Sequence, residues 1–185
     1  MDPENSNGKS IALIVGLGNP GPEYVGTYHN IGRRAVEELV RRRGAASFAR
    51  VSRITAEATR VDAHTFAYPV VYMNESGPAV RALLDFYKLQ PEQLLVVHDD
   101  ADLPLGEVRI AFGRGDAGHH GIQSVIGALG TEAFHRARIG IRTPAPEGAP
   151  RLEAGDFVLK HIAPADEPRF IAAFDEIERA LFPAS

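Results

Sequence analysis

The chain has 185 residues, 44% hydrophobic and 24% charged, with a formal net charge of -4, which suits one globular domain with its own core and argues against a protein that coats nucleic acid. It contains no cysteine, so disulfides, thiolate metal ligands and a cysteine nucleophile are excluded, and the cytoplasm is the expected location. No apolar run approaches the length of a membrane span, so no membrane association is expected.

Residues 1–10 are polar and lack a hydrophobic signal core, so they are expected to form a flexible tail ahead of a single domain over residues 11–185. Strand-like runs follow at Ile11 to Val15, Ile54 to Val61, Thr65 to Tyr72, Leu94 to His98, Val108 to Phe112 and Arg138 to Ile141. Between them, apolar residues recur three or four apart at Ile31 to Arg43, Pro78 to Leu89, Gly121 to Leu129 and Ala165 to Leu181, which predicts helices. The alternation predicts an α/β fold, a mixed and mostly parallel twisted sheet with helices packed around it. Thr143 to Gly155 is rich in proline and glycine and reads as a surface loop. Charge is uneven: arginines crowd residues 33–60, and acidic residues dominate after residue 147. A basic region on an acidic body could bind a polyanion locally, although arginines on a solvated helix face account for the charge equally well.

The first strand ends in Gly16-Leu17-Gly18-Asn19-Pro20-Gly21, a literal match to the dinucleotide fingerprint. The context opposes that reading. Pro20 and Pro22 flank the third glycine, the next helical pattern starts only near Asn30, and the acidic position of the fingerprint falls inside a helix. No dinucleotide is expected. What the turn does deliver is Asn19 and then His29, the side-chain type that titrates nearest neutrality.

Asn19, Asn74 and Asp99 each follow an apolar strand-like run, and ligands of open α/β sheets bind beyond the carboxyl ends of strands. His98-Asp99-Asp100-Ala101-Asp102 and His119-His120 invite a metal reading. Adjacent strand residues face opposite sides, however, so His98, Asp99 and Asp100 could not all serve one ion. The alternative needs no metal: Asp99 accepts a hydrogen bond from Nδ1 of His29, leaving the other nitrogen to take a proton from water. Gly113 to Gly121 reads as a flexible lip whose amides and imidazoles could approach a ligand.

These segments occur in order along the chain: Ile14 to Gly21 with Tyr24 and His29-Asn30; Tyr72-Met73-Asn74 with Ser76-Gly77; His98 to Pro104; Gly118-His119-His120-Gly121; and Phe134 to Ile141. Together they resemble the bacterial peptidyl-tRNA hydrolase family, collinearly from about Ile11 to Leu181. The resemblance implies a monomeric esterase without cofactor or metal that cuts the bond between a peptide and the 3′-terminal ribose of tRNA. It makes His29 the general base and Asp99 its orienting partner. It places Asn19, Tyr24, Met73, Asn74, His119 and His120 on the substrate, and Arg109, Arg114, Arg136 and Arg138 on phosphates of the tRNA. The partner it implies is peptidyl-tRNA, met at its acceptor stem and 3′ end. Two positions depart from the family pattern: His120 stands where an asparagine is usual, and Ala111 where a further basic residue is common. A non-catalytic RNA-binding relative of the same fold is the alternative.

Overall fold

In the computed structural model, which describes residues 10–45, 47–143 and 154–183, the first apolar run forms β1 (Leu13–Gly16), buried at every position. Burial on both faces is what a continuous apolar run supports, and it places β1 inside the sheet. The other strands are β2 (Ala49–Arg50), β3 (Ala56–Val61), β4 (His64–Pro69), β5 (Leu94–Pro104), β6 (Val108–Phe112) and β7 (His135–Arg142). They form one seven-stranded sheet in the order β2-β3-β4-β1-β5-β7-β6. The expected mixed sheet is present. Its central strands β4, β1, β5 and β7 are parallel, whereas β2, β3 and β6 pair antiparallel at the flanks.

Helices cover both faces. Ile14 of β1 and Leu95 and Val97 of β5 pack with Val36 and Leu39 of α1 (Ile31–Arg42) and with Phe170 and Phe174 of α5 (Glu167–Leu181). Their neighbours Leu13, Val15 and Val96 turn to the other face, against Val80 and Leu83 of α2 (Ser76–Tyr87) and Ile122 and Val125 of α3 (His120–Leu129). The two-residue period of a strand thus divides one apolar run between two cores. A short helix, α4 (Ala154–Phe157), precedes α5.

Close approach at one glycine brings the first helix onto the sheet. A Cβ at Gly32, in the first turn of α1, would overlap the Val97 carbonyl oxygen of β5. The start of α1, with His29 just before it, therefore lies directly on the strand that carries Asp99.

Several expectations are corrected. The strand expected at Leu94 to His98 continues to Pro104, because Asp99 and Asp100 remain in register with Ile139 and Gly140 of β7. The strand expected to reach Tyr72 stops at Pro69, and α2 begins at Ser76 rather than Pro78. β2 and α4 were not foreseen. The expected tail, apart from Ser10, and most of the expected loop lie outside the described residues. The arginines of α1 do not form a free polyanion-binding face: Arg33 pairs with Glu37, Arg34 with Glu167, Arg41 and Arg42 with Glu38, and Arg42 also with Asp175. Among the described residues no helix is long and apolar enough to cross a membrane.

Candidate active site

The order β4-β1-β5 brings together the segments after three parallel strands, so the polar residues spread along the sequence converge on one cleft of about 860 Å³. Asn19, His29, Tyr72, Met73, Asn74, Asp99 and His119 line it, as do Asp116 to Gly118 and His120 of the glycine-rich lip.

Asp99 is its centre. The carboxylate is buried, and His29 Nδ1 lies 3.0 Å from both of its oxygens. His119 Nε2 lies 2.9 Å from Oδ1. The His119 tautomer follows from its other nitrogen: Nδ1 accepts the Gly121 and Ile122 amides at 3.1 and 3.2 Å, capping α3, so Nε2 carries the hydrogen donated to Asp99. Burial alone would raise the Asp99 pKa, but His29 and His119, both within hydrogen-bond distance of the carboxylate, overcome it and hold the carboxyl far below its usual range. Burial likewise disfavours the imidazolium of His29, and the Asp99 carboxylate outweighs it, so the His29 pKa stands above its ordinary value.

His98, adjacent in sequence, points away from this chemistry. Its Nδ1 is 2.7 Å from the Asp99 carbonyl oxygen, its buried Nε2 has no partner among the described residues, and its ring meets His119 edge-on at 4.7 Å. Burial, reinforced by His119 and Arg136, holds its pKa well below the ordinary value. Among the described residues, His98 therefore does not join Asp99 and His119 in one ligand set, although all three come from the segments that invite a metal reading. His29, Asp99 and His119 do bring one ligand atom each within 4.8 Å of one another. An ion on His119 Nε2 would leave the proton to Nδ1, where it would confront the two amides of α3. These residues do not fit a metal without breaking the cap.

Asn19 is fixed from both ends. Its backbone exchanges hydrogen bonds with the Asn30 side chain at 2.8 and 2.9 Å, and its Oδ1 accepts the Met73 amide at 2.7 Å. The acceptor end is thereby engaged, and among the described residues the Nδ2 donors have no partner. Asn74 is exposed at the cleft, in the turn Met73–Glu75 that follows β4. Tyr24 does not line the cleft; it packs edge-on against Tyr72, which does, with ring centres 6.3 Å apart.

The four arginines expected on phosphates separate. Arg109 and Arg114 are exposed, the former also bonded to Glu107 at 2.7 Å. Arg138 bonds the buried Asp100 at 2.7 Å, and only 15% of its side chain is open. Arg136 stands apart from the other three: it is 2% exposed, and its guanidinium donates to the Gly115 carbonyl at 2.7 Å. Sequence reasoning missed the wall formed by Val158 and Leu159. This wall is built by long-range pairing, with the Tyr28 and His29 amides donating to the Lys160 and Val158 carbonyls. The only sequence signal was a short apolar run, Phe157-Val158-Leu159, behind a glycine.

An imidazole held by a buried carboxylate, beside amide donors beyond the carboxyl ends of parallel central strands, defines an α/β protein equipped for hydrolysis. A family model described as Peptidyl-tRNA hydrolase matches residues 13–183. Relatives with that description include one from Corynebacterium efficiens, 45% identical over 151 residues with 82% of each chain covered. Another, from Parasynechococcus marenigrum, is 42% identical over 177 residues, with 92% of this chain and 86% of the relative covered. The crystal structure of peptidyl-tRNA hydrolase from Acinetobacter baumannii superposes with a TM-score of 0.80 at 30% identity, covering 95% of this chain and 91% of that one. The chain belongs to the peptidyl-tRNA hydrolase family.

Proposed function

We propose that this chain hydrolyses the ester between the peptide and the 3′-terminal ribose of peptidyl-tRNA, with His29 as the base that activates water. The activity is that of its family; the assignment of roles rests on the cleft. The observation that carries it is the approach of His29 Nδ1 to both oxygens of Asp99. A carboxylate can only accept, so it keeps the imidazole hydrogen on Nδ1 and leaves the lone pair of Nε2 for the water proton. Water then adds to the ester carbonyl, and the oxyanion falls to the Nδ2 donors of Asn19, with Asn74 beside it. Collapse expels the ribose oxygen, which takes the proton back from His29, and the products are a peptide carboxylate and free tRNA. An ester has a good leaving group, so a positioned water, a base near neutrality and a few fixed donors suffice.

In the same reading, Arg109 and Arg114 meet phosphates of the acceptor stem and 3′ end, a contact that carries affinity but little sequence preference. His120, exposed at the first position of α3 and lining the cleft, takes a substrate-holding place with an imidazole in place of the family's usual amide. The chain acts as a cytoplasmic monomer in this reading.

Peptide release from an N-acetylated aminoacyl-tRNA, measured with chelator present, tests it. Wild type should cleave, and His29→Ala should lose turnover while still binding tRNA. Cleavage by the variant at the wild-type rate would remove His29 from the role of base. Activity lost to chelator would return the metal reading, and a folded wild type that binds tRNA without cleaving it would favour the RNA-binding alternative.

A further inference from the structure

Among the described residues, Arg136 is the largest fully buried side chain. Such a site is costly for a guanidinium, because a charge taken out of water needs compensation. Here compensation is sparse. Among the described residues no carboxylate lies within ion-pair distance and Nε, shut from solvent, has no partner, while Asp100 and Glu132, further off, offset the charge in part. Among the described residues its one direct bond runs from Nη1 to the carbonyl of Gly115.

That carbonyl belongs to the lip that forms one wall of the cleft through Asp116, Ala117 and Gly118. The lip needs an anchor. Ala117 has a φ of 52°, a left-handed conformation unfavourable for a residue with a Cβ, and Gly118 follows at 78°. Its own bonds are local, from the Gly118 and His119 amides to Asp116. Among the described residues, its bonds to the body of the protein are the Gly113 amide to Phe134 at its base and the Arg136 guanidinium at its middle.

We propose that Arg136 is a positioning residue that pins the 113–118 lip in its cleft-lining conformation, rather than a phosphate contact. By holding Gly115 it places Asp116 to Gly118 against the substrate and delivers the chain to His119, which bonds Asp99. The inference rests on reading the cleft as the substrate site. Wild-type turnover tests that reading separately, so the two can fail independently.

The test compares Arg136→Met with its parent in an Arg114→Ala background, so that displacement of Arg114 with the lip cannot imitate a lost phosphate contact. Removing the pin should raise KM for the N-acetylated aminoacyl-tRNA about tenfold, the worth of one charge-assisted hydrogen bond. The dependence of tRNA affinity on salt should stay at the parent's value, and so should the pH midpoint of kcat. A salt slope shallower by about one unit would instead make Arg136 a phosphate contact, and an unchanged KM would leave the lip without need of a pin; either overturns the proposal. Arg136→Lys keeps the charge and the fold but loses the planar fork. In this variant the His119 amide should exchange hydrogen faster at an unchanged Tm, and unaltered exchange would count against the pin.

Discussion

Asp99 accepts hydrogen from two histidines at once, and this makes its replacement by asparagine informative. His119 cannot change tautomer without uncapping α3, so the asparagine oxygen turns to His119 Nε2 and the amide nitrogen takes the other carboxylate position, 3.0 Å from His29 Nδ1, where its hydrogens oppose one on Nδ1. Nδ1 of His29 must then accept, its proton moves to Nε2, and the base is blocked. Asp99→Asn should lower kcat about 10²–10⁴-fold. The same change removes the carboxylate that raises the His29 pKa. Since a general base works in its neutral form, the ascending limb of kcat/KM should lie above the ordinary histidine value in wild type and move to lower pH in the variant. Rates measured from pH 5 to 9 check both, and an unchanged rate with an unchanged midpoint would dismiss the Asp99 role.

At the level of elements, the dyad depends on how closely α1 sits on β5, and Gly32 governs that approach. Gly32→Ala pushes the helix off the Val97 carbonyl and carries His29 away from Asp99. The expected cost is roughly 1–3 kcal/mol of stability, typical of overpacking, together with a fall in kcat larger than any change in KM. Thermal unfolding beside steady-state kinetics would show it, and a variant with wild-type Tm and kcat would mean that the helix has room to spare. The packing was partly legible beforehand. Apolar periodicity located the long helices and central strands, and the cleft followed from Asn19, Asn74 and Asp99 each trailing a strand. β2 was not legible because its two residues are exposed and owe their form to β3 rather than to a pattern of their own. The extension of β5 was hidden because Asp-Asp-Ala-Asp reads as a turn until Arg138, from a distant segment, neutralises Asp100. The burial of Arg136 was hidden for a related reason: arginine is ordinarily a surface residue, and the register of β7 between β5 and β6 is what encloses this one.

Over the whole molecule, the histidines set a pH dependence of stability whose parts have opposite signs. His98, His64 and His135 have folded pKa values lowered by burial, so below the unfolded value near 6.5 the unfolded chain binds more protons and stability falls with pH. His29 does the reverse. Its raised pKa contributes stability that is complete below about 6.5 and is lost as pH rises through the folded value. The contribution of Asp99, whose pKa is depressed, is present above about pH 4 and is lost only as pH falls through its folded value, outside this window. Between pH 7 and 5 the balance is therefore between buried histidines that resist charging and one that welcomes it. His98→Phe keeps an aromatic ring against His119 but cannot titrate. It should flatten the loss of stability toward pH 5 by up to about 1.4 kcal/mol per pH unit, the slope of one proton. His29→Ala removes the group that gains stability as pH falls toward about 6.5, so it should steepen the loss between pH 7 and 6 and leave the slope between 6 and 5 unchanged. Urea midpoints at pH 5, 6 and 7 for wild type and the two variants separate these effects. Parallel slopes in wild type and His98→Phe would mean that His98 titrates alike in the folded and unfolded chains, contrary to its burial beside His119 and Arg136.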